Sequence, residues 1–343
     1  MSEDFGARIH LALALSGDQA LTVLADDALL ARLDRAPLAF TVVGADRLAA
    51  READGEADGA RTIDPSTATA VLAGRTVGAA FLAAASPARD HPYNLARRIA
   101  SAGHLSRGRT GLAAGSADPF VADGAGRSHG GGPVLTARPG AAATRDLVLA
   151  VQKLEQTWPY DAIVADRERR IFARGDRIRR AGHDGVFPTA GPLTLPSTPE
   201  GSSPVAWWAS APDELEAAAE VADVVIVPEG DDWAAGARAA LDAAPRRHFT
   251  DPAQRPLLFT VIDVAPGTAA GELRTRIDAA GAADGIVLRP AGADPGEAIG
   301  LATDLGGGDR PDVLSLRARL GLPRTADLLP EGPGVFPEPA PQT

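Results

Sequence analysis

The chain has 343 residues, 45% of them hydrophobic and only 4% aromatic, and it contains no cysteine. These proportions allow a large core built from Ala, Leu, Val and Ile, and they exclude disulfides, thiolate metal sites and cysteine nucleophiles. A formal charge of −11, from 34 basic and 45 acidic residues, repels phosphate backbones and argues against nucleic acid as a partner. No apolar run reaches the roughly 18 residues a membrane span needs. The start, Met1-Ser2-Glu3-Asp4, is acidic and lacks a signal-peptide n-region, so cytoplasmic residence is expected.

Residues 8–15, RIHLALAL, read as a first strand. A helical stretch follows from Asp18 to about Arg35, with leucines at helical spacing. Residues 38–43, LAFTVV, have the continuous apolar character of a buried parallel strand. Residues 52–61 are acidic and Gly-containing, hence a loop, and Asp64-Pro65 opens a helix to about Ala73. A strand over 77–85, a helix over 92–104 and a strand over 110–115 complete four units. Residues 116–143, rich in Gly, Ala and Pro, read as a long loop before a helix over 144–158. Residues 159–203 show little periodicity and suggest an excursion, with a hairpin around 178–187. Alternation then resumes with strands at 205–209, 224–227, 257–264 and 285–288. Helices separate them at 212–221, 233–244, 269–280 and 294–305. The Pro-rich stretch 330–343 is expected to be a disordered tail after a single domain over 1–329.

Eight short apolar strands alternating with helices imply an α/β chain with a parallel sheet. Periodicity alone leaves a closed TIM barrel and an open doubly wound sheet nearly equal. Two motifs decide between them. The first is His91-Pro92-Tyr93-Asn94-Leu95-Ala96-Arg97-Arg98 followed by His104-Leu105-Ser106-Arg107-Gly108-Arg109. The second is Gly191-Pro192-Leu193-Thr194-Leu195-Pro196 with Pro199-Glu200-Gly201. Together with the LRARLGL stretch at 316–322, they resemble the bacterial luciferase-like flavin-dependent monooxygenases. Within that family they are similar to the subgroup oxidising nitrilotriacetate, alkanes and organosulfur compounds. The resemblance spans about residues 8–322. It implies a (β/α)8 barrel with an excursion between strands four and five, over about 116–203.

The resemblance further implies reduced FMN delivered by a separate flavin reductase, O2 as oxidant and a small organic substrate. It also implies a homodimer, or a heterodimer with a homologue. The flavin would lie at the C-terminal mouth of the barrel and carry the oxygen chemistry itself. Tyr93 and Asn94 match the phosphate side of the family's pocket. Asp46 ends strand two, where the family has an Ala-Asp pair near the mouth, here Ala45-Asp46. His129, in the Gly-rich loop, is a substrate-side candidate, although solvated histidines are common in such loops. Arg97 and Arg98 read first as scaffold, with one pairing at the barrel rim. His91 and His104 have no metal-ligand spacing to each other. Residues 124–132 lack the Lys-Ser/Thr of a P-loop, and no GxSxG elbow is present.

The sequence departs from the family where the cofactor should be touched. Strand four ends Gly111-Leu112-Ala113-Ala114-Gly115-Ser116-Ala117, so Ala113 stands where the family has a flavin-contacting Asn, and of the supporting hydroxyls only that of Ser116 is kept. Strand three carries an apolar residue in place of a Thr, and Gly103 replaces an Asp. The phosphate-holding turn after strand five appears as Trp207-Trp208-Ala209-Ser210-Ala211-Pro212-Asp213-Glu214. Ser210 can still reach a phosphate. Asp213 and Glu214 would each oppose one by on the order of a kcal/mol, or simply complement the helix dipole. Three readings follow. They are an FMN-dependent monooxygenase, a flavin-free paralogue or partner subunit of an active homologue, and a deazaflavin-dependent oxidoreductase.

Overall fold

The computed structural model describes residues 9–48, 62–116, 118–120, 140–244, 254–292, 294–306, 314–332 and 334–336. Its strands are β1 (His10–Leu15), β2 (Thr41–Val43), β3 (Phe81–Ala85), β4 (Thr110–Ala114), β5 (Ile163–Asp166), β6 (Ile171–Ala173), β7 (Val205–Trp208), β8 (Val224–Val227), β9 (Leu257–Val264) and β10 (Gly285–Pro290). Eight of them close into a barrel in the order β1-β10-β9-β8-β7-β4-β3-β2. Every pairing in it is parallel, and β1 closes on β10 with His10 opposite Gly285 and Leu13 opposite Leu288.

The helices are α1 (Gly17–Ala25), α2 (Asp27–Arg35), α3 (Pro65–Arg75), α4 (Pro92–Ser106), α5 (Ala141–Gln156), α6 (Leu215–Val221), α7 (Asp231–Ala243), α8 (Ala270–Ala279), α9 (Gly296–Gly306) and α10 (Leu316–Arg319). Their starts follow from local chemistry. Ser16 and Gln19 form a reciprocal capping box at α1. Asp64 and His91 cap α3 and α4, each with proline in the first turn, where its missing N–H costs nothing. The single helix expected over 18–35 is two helices. Asp26 adopts extended backbone, ends α1, and caps α2 by accepting from the Ala28 and Leu29 amides. Strand three begins at Phe81 and not at Val77, because the Val77, Gly78 and Ala79 amides donate to the Asp34 carboxylate instead of to a neighbouring strand.

Side chains alternate along each strand. One set faces the helices; the other fills the barrel with Ala12, Ala14, Leu82, Ala84, Ala113, Ala206, Trp208, Ile226, Phe259 and Val287. Small residues dominate, and a few large rings fill the remaining space. Gly285 sits opposite Phe259, and a Cβ there would lie 2.3 Å from the ring. The floor of the barrel is closed by α10. Leu316 and Leu320 enter the interior cluster. Arg319 donates to the carbonyls of Leu38, Ala39 and Gly78. Arg317 donates to the Ser202 carbonyl and pairs with the fully buried Asp223 at 3.4 Å.

The excursion between the fourth and fifth barrel strands, β4 and β7, has two parts. Helix α5 packs between α4 and α6 as an ordinary barrel helix. Residues 157–203 lie outside the barrel and carry the β5–β6 hairpin. The hairpin expected at 178–187 is therefore earlier in the chain; near that position only an isolated bridge joins His183 to Thr189. Both hairpin strands are partly or fully exposed, so no apolar alternation marks them. Farther on, the Val335 amide donates to the Ile178 carbonyl at 2.6 Å.

Candidate functional site at the barrel mouth

Barrel enzymes place their chemistry at the C-terminal ends of the strands. Here that end has three parts: a charged flank, a sealed axis and a hydrogen-bonded flank.

The charged flank runs over the ends of β2 and β3 to α4. Arg47 follows β2 and Arg89 follows β3, and both reach Asp118, at 3.2 and 2.8 Å. Arg89 also contacts Asp90 at 3.0 Å and donates to the Ala84 carbonyl. Asp90 pairs onward with Arg98 at 2.9 Å, and Arg98 reaches Asp64 at 3.4 Å. Three arginines and three aspartates thus form one neutral chain. Burial opposes the Arg89 charge, but Asp90 and Asp118 outweigh it and raise its pKa above the ordinary value. Burial likewise works against the Asp64 carboxylate, yet hydrogen bonds from Ser66 and Thr67 and the charge of Arg98 bring it below its usual range. The Arg47 guanidinium lies 4.7 Å above the Phe120 ring. Among the described residues this network borders a cavity of about 560 Å³, whose lining includes Thr62, His91, Asn94 and Phe120.

The axis itself is sealed. Leu48, carried over the mouth by the turn after β2, is buried in the same cluster as Ala84, Ala113 and Trp208. A Cβ on Gly115 would lie 2.9 Å from the Leu48 side chain, so the two segments touch. Ser210 donates its hydroxyl to the Leu48 carbonyl at 3.3 Å, pinning the seal from the β7 side. Toward β9 and β10, Asp263 and Arg289 take inward positions opposite each other and pair at 2.7 Å.

On the third flank, Glu214 turns back toward β7. Its Oε2 accepts from the Trp207 indole at 3.0 Å and from the Ser210 amide at 3.3 Å. Ser116 lies close by and favours its charged form. Thr144 in turn donates to Ser116 at 3.1 Å. Burial raises the Glu214 carboxyl above its usual range, against these bonds.

The residues expected at the site are scattered across this end. Asp46 follows β2 and accepts from the Gly17 amide at 2.9 Å, with burial raising its pKa. Asn94 lines the cavity. Tyr93 packs half-buried against the core between sheet and helices. Ser116 and Ser210 come together, joined through Glu214. His129 lies outside the described residues. Arg98 enters the rim network as expected of one of the two arginines, while Arg97 is exposed. His91 caps α4 through Nδ1, which accepts from the Tyr93 amide, and burial lowers its pKa. The His104 Nε2 donates to the Pro196 carbonyl at 2.9 Å, tying α4 to the excursion. Glu214 stands at the N-cap position of α6, but its side chain makes no capping hydrogen bond there. Arg89, Asp90 and Asp118 are central to the mouth, yet in sequence they are isolated loop charges without a motif.

A flavin needs room above the strand ends and free donors for its phosphate. Leu48 and Trp208 occupy the axis, and the Ser116 and Ser210 donors are already engaged. These residues do not fit the cofactor on this chain alone. Among the described residues, no group of three or more His, Asp or Glu could hold a metal ion, and no helix is long and apolar enough to cross a membrane.

Comparison with known proteins is consistent with the architecture. Residues 34–283 match the family described as luciferase-like monooxygenase. The chain is 31% identical to a subunit of pristinamycin IIA synthase from Streptomyces pristinaespiralis over 262 residues, covering 76% of this chain and 78% of that protein. It is 27% identical over 169 residues to N-acetyl-S-(2-succino)cysteine monooxygenase from Bacillus subtilis (strain 168), covering 48% of this chain but only 37% of that protein. Its fold resembles that of EDTA monooxygenase from Chelativorans sp. BNC1, with a TM-score of 0.64 at 19% identity, covering 92% of this chain and 99% of the other.

Proposed function

The chain belongs to the luciferase-like monooxygenase family, and from that premise we propose that it is the companion subunit of a two-component FMN- and O2-dependent monooxygenase. A homologous barrel would hold the flavin, a separate reductase would supply it reduced, and the assembly would oxidise a small organic substrate. The observation that carries this reading is the sealed axis, where Leu48 closes on Gly115 and Trp208 fills the interior beneath. A mouth shut by its own side chains would keep the scaffold and lose the cofactor position. The 31% identical relative is itself one subunit of a synthase, which agrees with a chain that works in an assembly.

Co-expression with the other luciferase-like chains of the same organism tests this. The expected result is a stable complex with one homologue, carrying flavin on the homologue, and oxidation of substrate only when both chains are present with a flavin reductase. Turnover by this chain alone would overturn it.

A second reading is favoured by the cavity of about 560 Å³ beside Asn94 and the arginine network. In it the chain would itself be an FMN-dependent monooxygenase, acting as a homodimer. Its substrates would be of the nitrilotriacetate, alkane and organosulfur class. It requires Leu48 to swing out. An isolated-chain assay with chemically reduced FMN and O2 separates the two readings directly.

A further inference from the structure

Groups from three places in the chain converge on one carboxylate at the mouth. The Trp207 indole, from the end of β7, donates at 3.0 Å, the Ser210 amide, from the loop that follows it, donates at 3.3 Å, and Ser116, in the loop after β4, lies beside them and favours the charged carboxylate. Thr144 on α5 fixes Ser116 from behind. The receiving group, Glu214, is only 7% exposed, and among the described residues no arginine, lysine or histidine forms an ion pair with it. This is unlike the other flank of the mouth, where every buried carboxylate has a guanidinium beside it.

Burying a carboxylate is unfavourable unless its surroundings compensate. A bond to the buried indole alone would satisfy Trp207. It would not account for the Ser210 amide pointing at the same group with Ser116 beside it. Convergent neutral donors around one negative group are the arrangement by which proteins hold bound anions. We propose that Ser116, Trp207 and Ser210 form an anion cradle that Glu214 occupies from within. The cradle is thereby closed to phosphorylated ligands, and it opens to a free carboxylate or phosphate only when the Glu214 side chain is withdrawn. Ser210 serves the seal through its hydroxyl and the cradle through its amide; the Trp207 indole and Glu214 take no part in the seal, so a test on Glu214 reads the cradle separately from the subunit role.

The test is chemical rescue in Glu214→Ala and Glu214→Gln. Thermal unfolding of each purified protein is followed while acetate or inorganic phosphate replaces chloride at constant ionic strength. Glu214→Ala should lose stability and regain it saturably, by several degrees, as either anion fills the cradle. Wild type and Glu214→Gln, in which a side chain still fills the cradle, should show no saturable gain. The Trp207 indole N–H resonance gives a second readout: it should shift in Glu214→Ala and return toward the wild-type position with anion. If Glu214→Ala does not fold in chloride, its refolding yield in acetate or phosphate becomes the measure, and recovery supports the cradle. No anion response in Glu214→Ala, or an equal response in all three proteins, overturns it.

Discussion

The two ends of the barrel are closed by the same physics, though only the floor is expected to be. At the floor, α10 inserts Leu316 and Leu320 and uses Arg319 to satisfy carbonyls that the strand ends leave open. At the mouth, the turn after β2 inserts Leu48 above Trp208, and Ser210 satisfies the Leu48 carbonyl. In barrel enzymes the floor serves stability and the mouth serves function. Here the axis of the mouth is built like a second floor, and a cavity of about 560 Å³ lies on the charged flank beside it. The difference lies in the treatment of charge. The mouth neutralises Asp118 and Asp90 with three arginines, two beside each carboxylate. The floor buries Glu155 near Asp223 with Arg317 as the nearby cation.

If the mouth is a packed plug, Trp208→Ala should destabilise the protein by about 3–5 kcal/mol, the cost of truncating a large ring in a core. Urea unfolding measures it. A loss below about 1 kcal/mol would mean that the mouth is a pocket lined by Trp208 and would break the likeness to the floor.

The contrast in charge gives a pH signature. Burial pushes the Glu155 carboxyl from 4.5 up to about 7, against hydrogen bonds from Ser203 and the charge of Arg317. The folded state therefore holds this proton more tightly than the unfolded chain. The resulting stability is full below the unfolded value and is lost as pH rises to about 7. At about 1.4 kcal/mol per pH unit, the loss is about 3 kcal/mol. Glu155→Gln should remove that decline, so the stability difference between variant and wild type should shift in the variant's favour across this window. Parallel curves would show that Glu155 does not titrate there.

The smallest effect belongs to the half-exposed pair over the strand ends. Arg289→Ala should cost less than about 1 kcal/mol, because water screens Asp263 and Arg289 where they stand. A larger loss would make that pair part of the seal.

The barrel was legible in the sequence because buried parallel strands are continuous apolar runs, and the runs VVIV at Val224–Val227 and LLFTVIDV at Leu257–Val264 needed no tertiary information. LRARLGL was legible as a family-like stretch but its place at the floor was not, since its leucines and arginines find the barrel interior and the strand-end carbonyls only in the folded chain. The break at Asp26 and the late start of β3 were not legible either, since one depends on a backbone angle and the other on the distant Asp34. At the mouth, the loss of polar side chains in Gly111–Ser116 was plain, and so was the bulk of Trp207 and Trp208. Their division of labour was not: Trp207 faces the helices and Trp208 the barrel interior, as alternation requires once the register is known. Gly103, in place of an acidic residue, has its reason in packing, because a Cβ there would lie 2.9 Å from the Thr198 methyl group. The Arg47–Asp118–Arg89–Asp90–Arg98 chain was invisible, because Arg47, Arg89 and Asp118 follow three different strands and meet only where β2, β3 and β4 pair side by side.

Titration of the purified chain with FMN, oxidised and reduced, tests the central claim most directly. Followed by flavin fluorescence and by heat of binding, it should show no saturable association up to high micromolar flavin, because the axis is filled and the neighbouring donors are engaged. Saturable binding of one flavin per chain at low micromolar concentration would contradict the account and return the chemistry to this barrel.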